Sequence, residues 1–247
     1  MFNFFKIGVK KQKIESEDFS PQRTFTIENQ QGEITPEDFS AQTNSTVKVL
    51  GENNFIQANL SSIKFVGSQL FEFIGDNNKI VIENGAVLSN CKIKFSGNSS
   101  IIVISKNCSV SINVHMSSND GKIKIGEKTT MARVLMVCQE NGSEINIGKD
   151  CMFSSEVFIR NSDSHSIIDI KTNKRINPPK NVFIDDHVWV GQSVKINKGV
   201  QIYANSIIAN GSIVTGKVPP NCVFGGNPAK LIKRDVSWLR DLITDFE

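Results

Sequence analysis

Residues 181–233 read NVFIDDHVWVGQSVKINKGVQIYANSIIANGSIVTGKVPPNCVFGGNPAKLIK, and their apolar residues recur at steps of six. From Ile184 that step lands on Val190, Ile196, Ile202, Ile208 and Val214, all β-branched aliphatics. The phase that begins at Val188 gives Val194, Val200, Ser206 and Ser212, aliphatic or small. The phase directly after Ile184 gives Asp185, Gly191, Asn197, Tyr203, Ala209 and Thr215, mostly turn formers. A helix repeats every 3.6 residues and a strand every two, so neither alone makes this period. Short parallel strands joined by tight corners do, each sending one or two branched side chains inward, as in a hexapeptide solenoid.

Upstream the timing is looser. The apolar doublets VKV, IKF, IVI, IVI, IKI and INI end at Val49, Phe65, Ile82, Ile104, Ile125 and Ile147. Their intervals of 16, 17, 22, 21 and 22 scatter around three hexapeptides per coil, with extra corner residues such as Gln139-Glu140-Asn141-Gly142. Asparagine, glycine and serine fill the spaces between doublets, as corners with positive φ require. The solenoid domain is therefore expected over residues 46–233. Residues 1–45 do not keep the period and are read as an extension that caps the first coil, with a turn at Gln31-Gly32 and a helical turn opened by Pro36. The period breaks once more over residues 160–180, a polar insertion with two consecutive prolines. The 37 residues from Ile147 to Ile184 predict that it projects from the surface instead of adding a layer. Residues 234–247 are expected to form a short C-terminal α-helix over the last coil, with Asp235 as N-cap and Val236, Leu239, Leu242, Ile243 and Phe246 on its apolar face. The fold class is all-β.

Composition narrows the function. The chain of 247 residues carries a net charge of only +3, spread thinly apart from modest clusters at Lys6 to Lys13 and Lys217 to Arg234. That argues against a nucleic-acid partner or a membrane-binding face. No apolar run approaches the length of a transmembrane helix, and Met1 to Lys6 is too short, with its charge on the wrong side, for a signal peptide. Five dispersed cysteines (Cys91, Cys108, Cys138, Cys151 and Cys222), never in a CxxC pair, read as small corner or core residues in a reducing compartment. A cytoplasmic protein is expected.

The strings IDDHVWVGQSVKINKGVQI, NSIIANGSIVTGKVP and GGNPAKLIK, with IRNSDSHSI from the insertion, resemble the hexapeptide-repeat acyltransferases. Within them the chain is most similar to the capsular polysaccharide (polysialic acid) O-acetyltransferases, and more distantly to the maltose and galactoside acetyltransferases. The match covers roughly Cys151 to Arg234, while the earlier coils match in period alone. The resemblance implies a left-handed parallel β-helix, acetyl-CoA as donor, a sugar or polysaccharide acceptor, and a homotrimer with active sites at its subunit interfaces. No metal is expected, because the three histidines lack the spacing of a zinc site.

The resemblance also assigns residues. Acyl transfer to a sugar hydroxyl needs a base near neutral pKa, and the resemblance places the catalytic histidine at His165. Trp189 is one of two tryptophans; the resemblance places it beside that histidine, its face toward pantetheine or sugar and its N–H available to the oxyanion. Asp163 and Asp169 are the carboxylates near enough in sequence to orient the imidazole, with Asp163 preferred. Gly191, Gln192, Ala209, Asn210, Thr215 and Gly216 match the cofactor groove. Lys230 and Lys233 match basic positions near the nucleotide phosphates, as does Lys217, which departs from the family in following the threonine by two positions instead of one. His187 reads as a surface or groove residue, His115 as structural, and Trp238 as packing of the terminal helix.

Two other classes use such a solenoid. A γ-class carbonic anhydrase needs three metal-binding histidines, two of them close in sequence, whereas the intervals here are 50 and 22. A purely structural β-helix explains the period but not Ser162-Asp163-Ser164-His165, Trp189 or the basic exit segment. Within acyl transfer, N-acetylation of a nucleotide-linked amino sugar remains the alternative to O-acetylation.

Overall fold

The period of six folds into a three-sided coil. The computed structural model describes residues 25–29 and 32–244; Gln31, the basic stretch Lys6 to Lys13 and Phe246 lie outside the described residues. The first face stacks eight parallel strands: Asn54–Ala58, Lys79–Ile82, Ile101–Ile104, Lys122–Ile125, Glu144–Ile147, Val182–Ile184, Gln201–Ile202 and Lys217–Val218. The second face is clearest at Met152–Phe153, Trp189–Val190 and Ile207–Ile208, the third at Val157–Arg160, Lys195–Ile196 and Ile213–Val214. In earlier coils one bent strand covers both, as in Ser109–Ser117 and Thr130–Gln139. The chain is a parallel β-solenoid.

Every member of the Ile184 phase and of the Val188 phase is buried. Ser206 and Ser212 sit in that core because their hydroxyls donate to the carbonyls of Pro219 and Ala209, at 2.7 and 2.6 Å, which removes the penalty of an unpaired polar group. Stacked isoleucines Ile82, Ile104, Ile125, Ile147 and Ile184 run up the first face.

The first two doublets do not belong to that row. Val49 stacks on Phe73 and Phe65 on Leu88, on other faces, so the intervals of 16 and 17 do not measure a coil. The row starts at Ala58, in register with Ile82. Alternation within a strand marks which side is buried, not which of three faces the strand occupies.

Corner side chains account for the longer early coils. Backbone N–H groups of Glu52, Asp76, Asn98 and Asn119 donate to the side-chain oxygens of Asp76, Asn98, Asn119 and Asn141, each one coil on. Beside this ladder a Cβ at Gly75 would stand 2.2 Å from the Gly97 carbonyl oxygen, so the stacked backbones tolerate only glycine there.

At the N-terminal end Phe25–Asn29 and Gly32–Ile34 form an antiparallel pair, with Phe25–Asn29 hydrogen-bonded in parallel to Asn54–Ala58; together they occupy what would be an open edge. The α-helix Pro36–Thr43 follows, N-capped by Thr35, whose Oγ1 accepts from the N–H of Asp38 at 3.1 Å. It buries Phe39 edge-on against Phe65 and Phe71.

Ile147 and Ile184 are direct partners despite the 37 residues between them, so the insertion adds no layer. The helix expected from Asp235 does not form among the described residues. Asp235 takes φ of 57°, unlike the extended conformation of an N-cap, and Leu239, Leu242 and Ile243 are exposed. Instead the chain runs without regular secondary structure along one corner of the solenoid, held by Trp238 and Arg240. A segment this short has too little intrinsic helicity to resist such anchors. No helix among the described residues is long and apolar enough to cross a membrane.

Candidate active site

The insertion leaves the third-to-first corner just after Val157–Arg160. Asn161 is fully buried there, and its side chain imitates a strand: Oδ1 accepts from the N–H of Gln139 at 2.8 Å and Nδ2 donates to the Gln139 carbonyl at 2.9 Å. Ser162, also buried, donates to Glu140 at 2.6 Å and accepts from the N–H of Ser164 at 3.0 Å. Ser164 takes φ of 64°, a left-handed conformation that costs a non-glycine residue roughly 1–3 kcal/mol. The two serine contacts and a hydrogen bond from Ser164 Oγ to Gln139 hold it there. The turn turns His165 outward into an open polar cleft of about 370 Å3, shared with Ser117, Gln139, Glu140, Ser166 and Arg175. Its imidazole has no hydrogen-bond partner among the described residues, which leaves both nitrogens for a reacting group.

The carboxylate expected to orient that imidazole does something else. Asp163 Oδ2 pairs with Lys198 at 2.5 Å and accepts from Asn177 Nδ2 at 2.9 Å, while Oδ1 lies 3.7 Å from Arg160. The Lys198 bond, then the Asn177 bond, hold the Asp163 carboxyl below its ordinary pKa. Asn177 also donates to the backbone carbonyl of His165 at 2.8 Å. Asp163 therefore braces the loop backbone through Asn177. Asp169 is spent within its own turn, accepting from the Lys171 and Thr172 N–H groups and the Thr172 hydroxyl.

Across the cleft Arg175 grips Glu140 with two parallel hydrogen bonds of 2.6 and 2.8 Å, a fork that favours the ionised carboxylate. Those bonds, then the one from Ser162, pull the Glu140 pKa down to about 2. Glu140, Arg175, Asn177 and Lys198 were not singled out as site residues in the sequence, because they are scattered polar residues of corners and loop that only the coil geometry gathers.

The remaining candidates lie elsewhere on the coil. Trp189 is on the second face, 36% exposed, beside Trp238 at 6.1 Å between ring centroids. It is not among the residues lining the His165 cleft. Gly191, Gln192, Ala209 and Asn210 occupy the second-to-third corner, where Asn210 Oδ1 accepts from the Gln192 N–H at 2.9 Å. Lys230 and Lys233 are exposed on Ala229–Arg234, the return strand of a hairpin on the second face. Thr215, Gly216 and Lys217 are exposed at the third-to-first corner, the corner column that carries His165 two coils below. His187 is half-buried instead of lying open in a groove: Asp150 and the Trp238 carbonyl hold its two ring nitrogens at 2.8 and 2.9 Å.

A scan against protein-family models finds no match. Among curated proteins the polysialic acid O-acetyltransferase of Neisseria meningitidis is 34% identical over 196 residues, 78% of this chain and 88% of that protein. The chain belongs to the polysialic acid O-acetyltransferase family. The polysialic acid O-acetyltransferase of Escherichia coli O1:K1 is 39% identical over 134 residues, 53% of this chain, and the match spans only 43% of that protein's length. A crystal structure of a polySia-specific acetyltransferase superposes with TM-score 0.70 at 33% identity, covering 80% of this chain and 89% of that one.

For a member of this O-acetyltransferase family the cysteines are uninformative as nucleophiles. All five are buried and free. Burial pushes Cys91 and Cys108 up to about 11, and Cys138 and Cys151 up to about 12, so these four are neutral thiols at physiological pH.

Proposed function

We propose that this chain transfers the acetyl group of acetyl-CoA to a hydroxyl of a bacterial capsular polysaccharide, with sialic-acid-containing polymers as the first candidates, and that it does so in the cytoplasm. The names of its relatives support the acceptor class. The observation that carries the chemistry is His165, solvent-facing, with a free imidazole at a braced left-handed turn.

His165 takes the proton of the attacking hydroxyl as its oxygen adds to the thioester carbonyl. The tetrahedral intermediate collapses, the C–S bond breaks, and the thiolate of CoA receives the proton from the imidazolium. The products are an acetyl ester and free CoA. Oxyanion charge is met by the Trp189 indole N–H or by corner backbone N–H groups. Gly191, Gln192, Ala209, Asn210, Thr215 and Gly216 supply a pantetheine groove, and Lys217, Lys230 and Lys233 the phosphate cations.

These residues sit on two corners and a face of one chain, so we read the working unit as a homotrimer whose interface brings His165 of one copy against the second face and corner of the next. Each donor groove is then complete only between copies.

The test follows CoA release with a thiol reagent, for purified protein with acetyl-CoA, across a panel of capsule oligosaccharides and nucleotide-linked amino sugars. The buried cysteines keep the background low. Turnover on sialic-acid-containing or other capsule glycans, absent in His165→Ala, supports the proposal. Turnover confined to amino sugars moves the acceptor to an amine, and none with any acceptor refutes the reading.

A further inference from the structure

The irregular C-terminal segment carries a second structural device. At the first-to-second corner, Lys128, Asp150, His187, Asn205 and Asn221 stack one per coil, all with φ between 51° and 62°. Asparagine, aspartate and histidine are the non-glycine residues that adopt that conformation most readily. His187 uses it to lay its ring flat under Trp238, centroids 4.2 Å apart and planes 7° from parallel. The two residues also bond reciprocally, Trp238 Nε1 donating to the His187 carbonyl at 2.8 Å and His187 Nε2 lying 2.9 Å from the Trp238 carbonyl. Nδ1 faces Asp150 at 2.8 Å. Both ring nitrogens thus face acceptors, a carboxylate and a backbone carbonyl, which fixes the plane of the ring.

Arg240 locks the segment below. It donates to the other oxygen of Asp150 at 2.9 Å, to Thr130 Oγ1 at 3.0 Å and to the carbonyls of Cys151 and Lys128 at 3.0 and 3.3 Å. Above, the Val236 N–H donates to the Asn221 carbonyl. The segment thus clasps coils from Lys128 to Asn221. Trp238, only 5% exposed, is wedged between this clasp and Trp189, against which it packs at 50°.

We infer that Trp238 is a positioning residue for Trp189, and that the His187–Asp150–Arg240 clasp fixes the orientation in which Trp189 meets the reacting groups. The inference rests on the proposed role of Trp189 for its effect on turnover, but not for its structural content. An exposed indole has two soft torsions, and a ring misplaced by about an ångström can cost up to ~10²-fold in rate. The wedge removes one side of that freedom.

The chain has two tryptophans, so in any Trp238 variant Trp189 is the only indole emitter. Trp238→Phe, Trp238→Ala and Trp189→Phe are made in the full chain, and kcat, both KM values, Trp189 emission and thermal melting are recorded. Trp238→Ala is expected to lower kcat/KM by ~10–10²-fold and to place Trp189 emission at longer wavelength than in Trp238→Phe, in which kcat/KM returns toward wild type. Should Trp238→Ala prove too unstable, Arg240→Ala in the Trp238→Phe background releases the clasp and is read by the same emission. Identical Trp189 emission in the Phe and Ala variants overturns the inference. Trp189→Phe with full turnover refutes the catalytic role of Trp189, and the emission comparison then decides the positioning by itself.

Discussion

Asn177 donates its side-chain amide to the backbone carbonyl of His165 at 2.8 Å, across 12 residues of sequence. The same nitrogen reaches Asp163, and the Asn177 oxygen accepts from the Ile167 N–H and from Arg175. One buried amide thus joins both ends of the insertion and sets where His165 stands. Asn177→Ala leaves the His165 carbonyl and the Ile167 N–H without their partner and frees the loop. Turnover is expected to fall by ~10²-fold with melting temperature little changed, since the solenoid layers pair without the insertion. Steady-state kinetics beside a thermal melt checks this.

His165→Ala removes the proposed base. It is expected to lower kcat by ~10²–10⁴-fold while acetyl-CoA affinity, measured by calorimetry, stays near wild type. Wild-type turnover in this variant would refute the assignment.

The Glu140–Arg175 pair ties the insertion to the coil beneath. Its folded carboxyl lies at about 2, below the ordinary 4.5, so the pair stabilises the bound loop fully above 4.5 and loses that contribution as pH falls toward about 2. Pepsin cleavage within residues 163–176 is therefore expected to stay slow at pH 4.5 and to accelerate as the pH approaches 2. Glu140→Gln should be cleaved readily at both.

Gly191→Ala tests the corner stacking of the proposed donor groove. Its Cβ would meet Asn210 Oδ1 at 2.4 Å and the Ile208 carbonyl oxygen at 2.8 Å. Because the second contact is backbone of the next coil, the layers must part, at about 1–3 kcal/mol. Denaturant unfolding reads the loss, and a raised KM for acetyl-CoA would accompany it.

Asp150→Asn probes the clasp. Burial raises the Asp150 pKa, but the bonds from His187 and Arg240 outweigh it and hold the carboxyl below its ordinary value. Neutralising it weakens its bonds to His187 and Arg240, and faster hydrogen exchange at the Val236 and His187 amides is expected; unchanged exchange would contradict the clasp.

The sequence by itself determined the coil. Ile184, Val190, Ile196 and their successors are branched residues at a step that only a three-sided solenoid can bury together, and every one is buried. It also located the insertion and the histidine within it, because a polar break in so regular a period has no core to enter. Tertiary structure decided the rest. The faces of Val49 and Phe65 depended on corner lengths that alternation does not encode. The terminal segment carried a helical apolar pattern, yet Trp238 found its partner His187, 51 residues back, and Arg240 its partners Asp150 and Cys151, 90 and 89 residues back, and those contacts outweighed a weak local preference. The role of Asp163 was equally hidden, since Lys198 comes within 2.5 Å of it only when the next coil is laid on top. Core periodicity is a local signal that a chain writes in order; polar partnership in a solenoid runs between layers, and no stretch of sequence contains it.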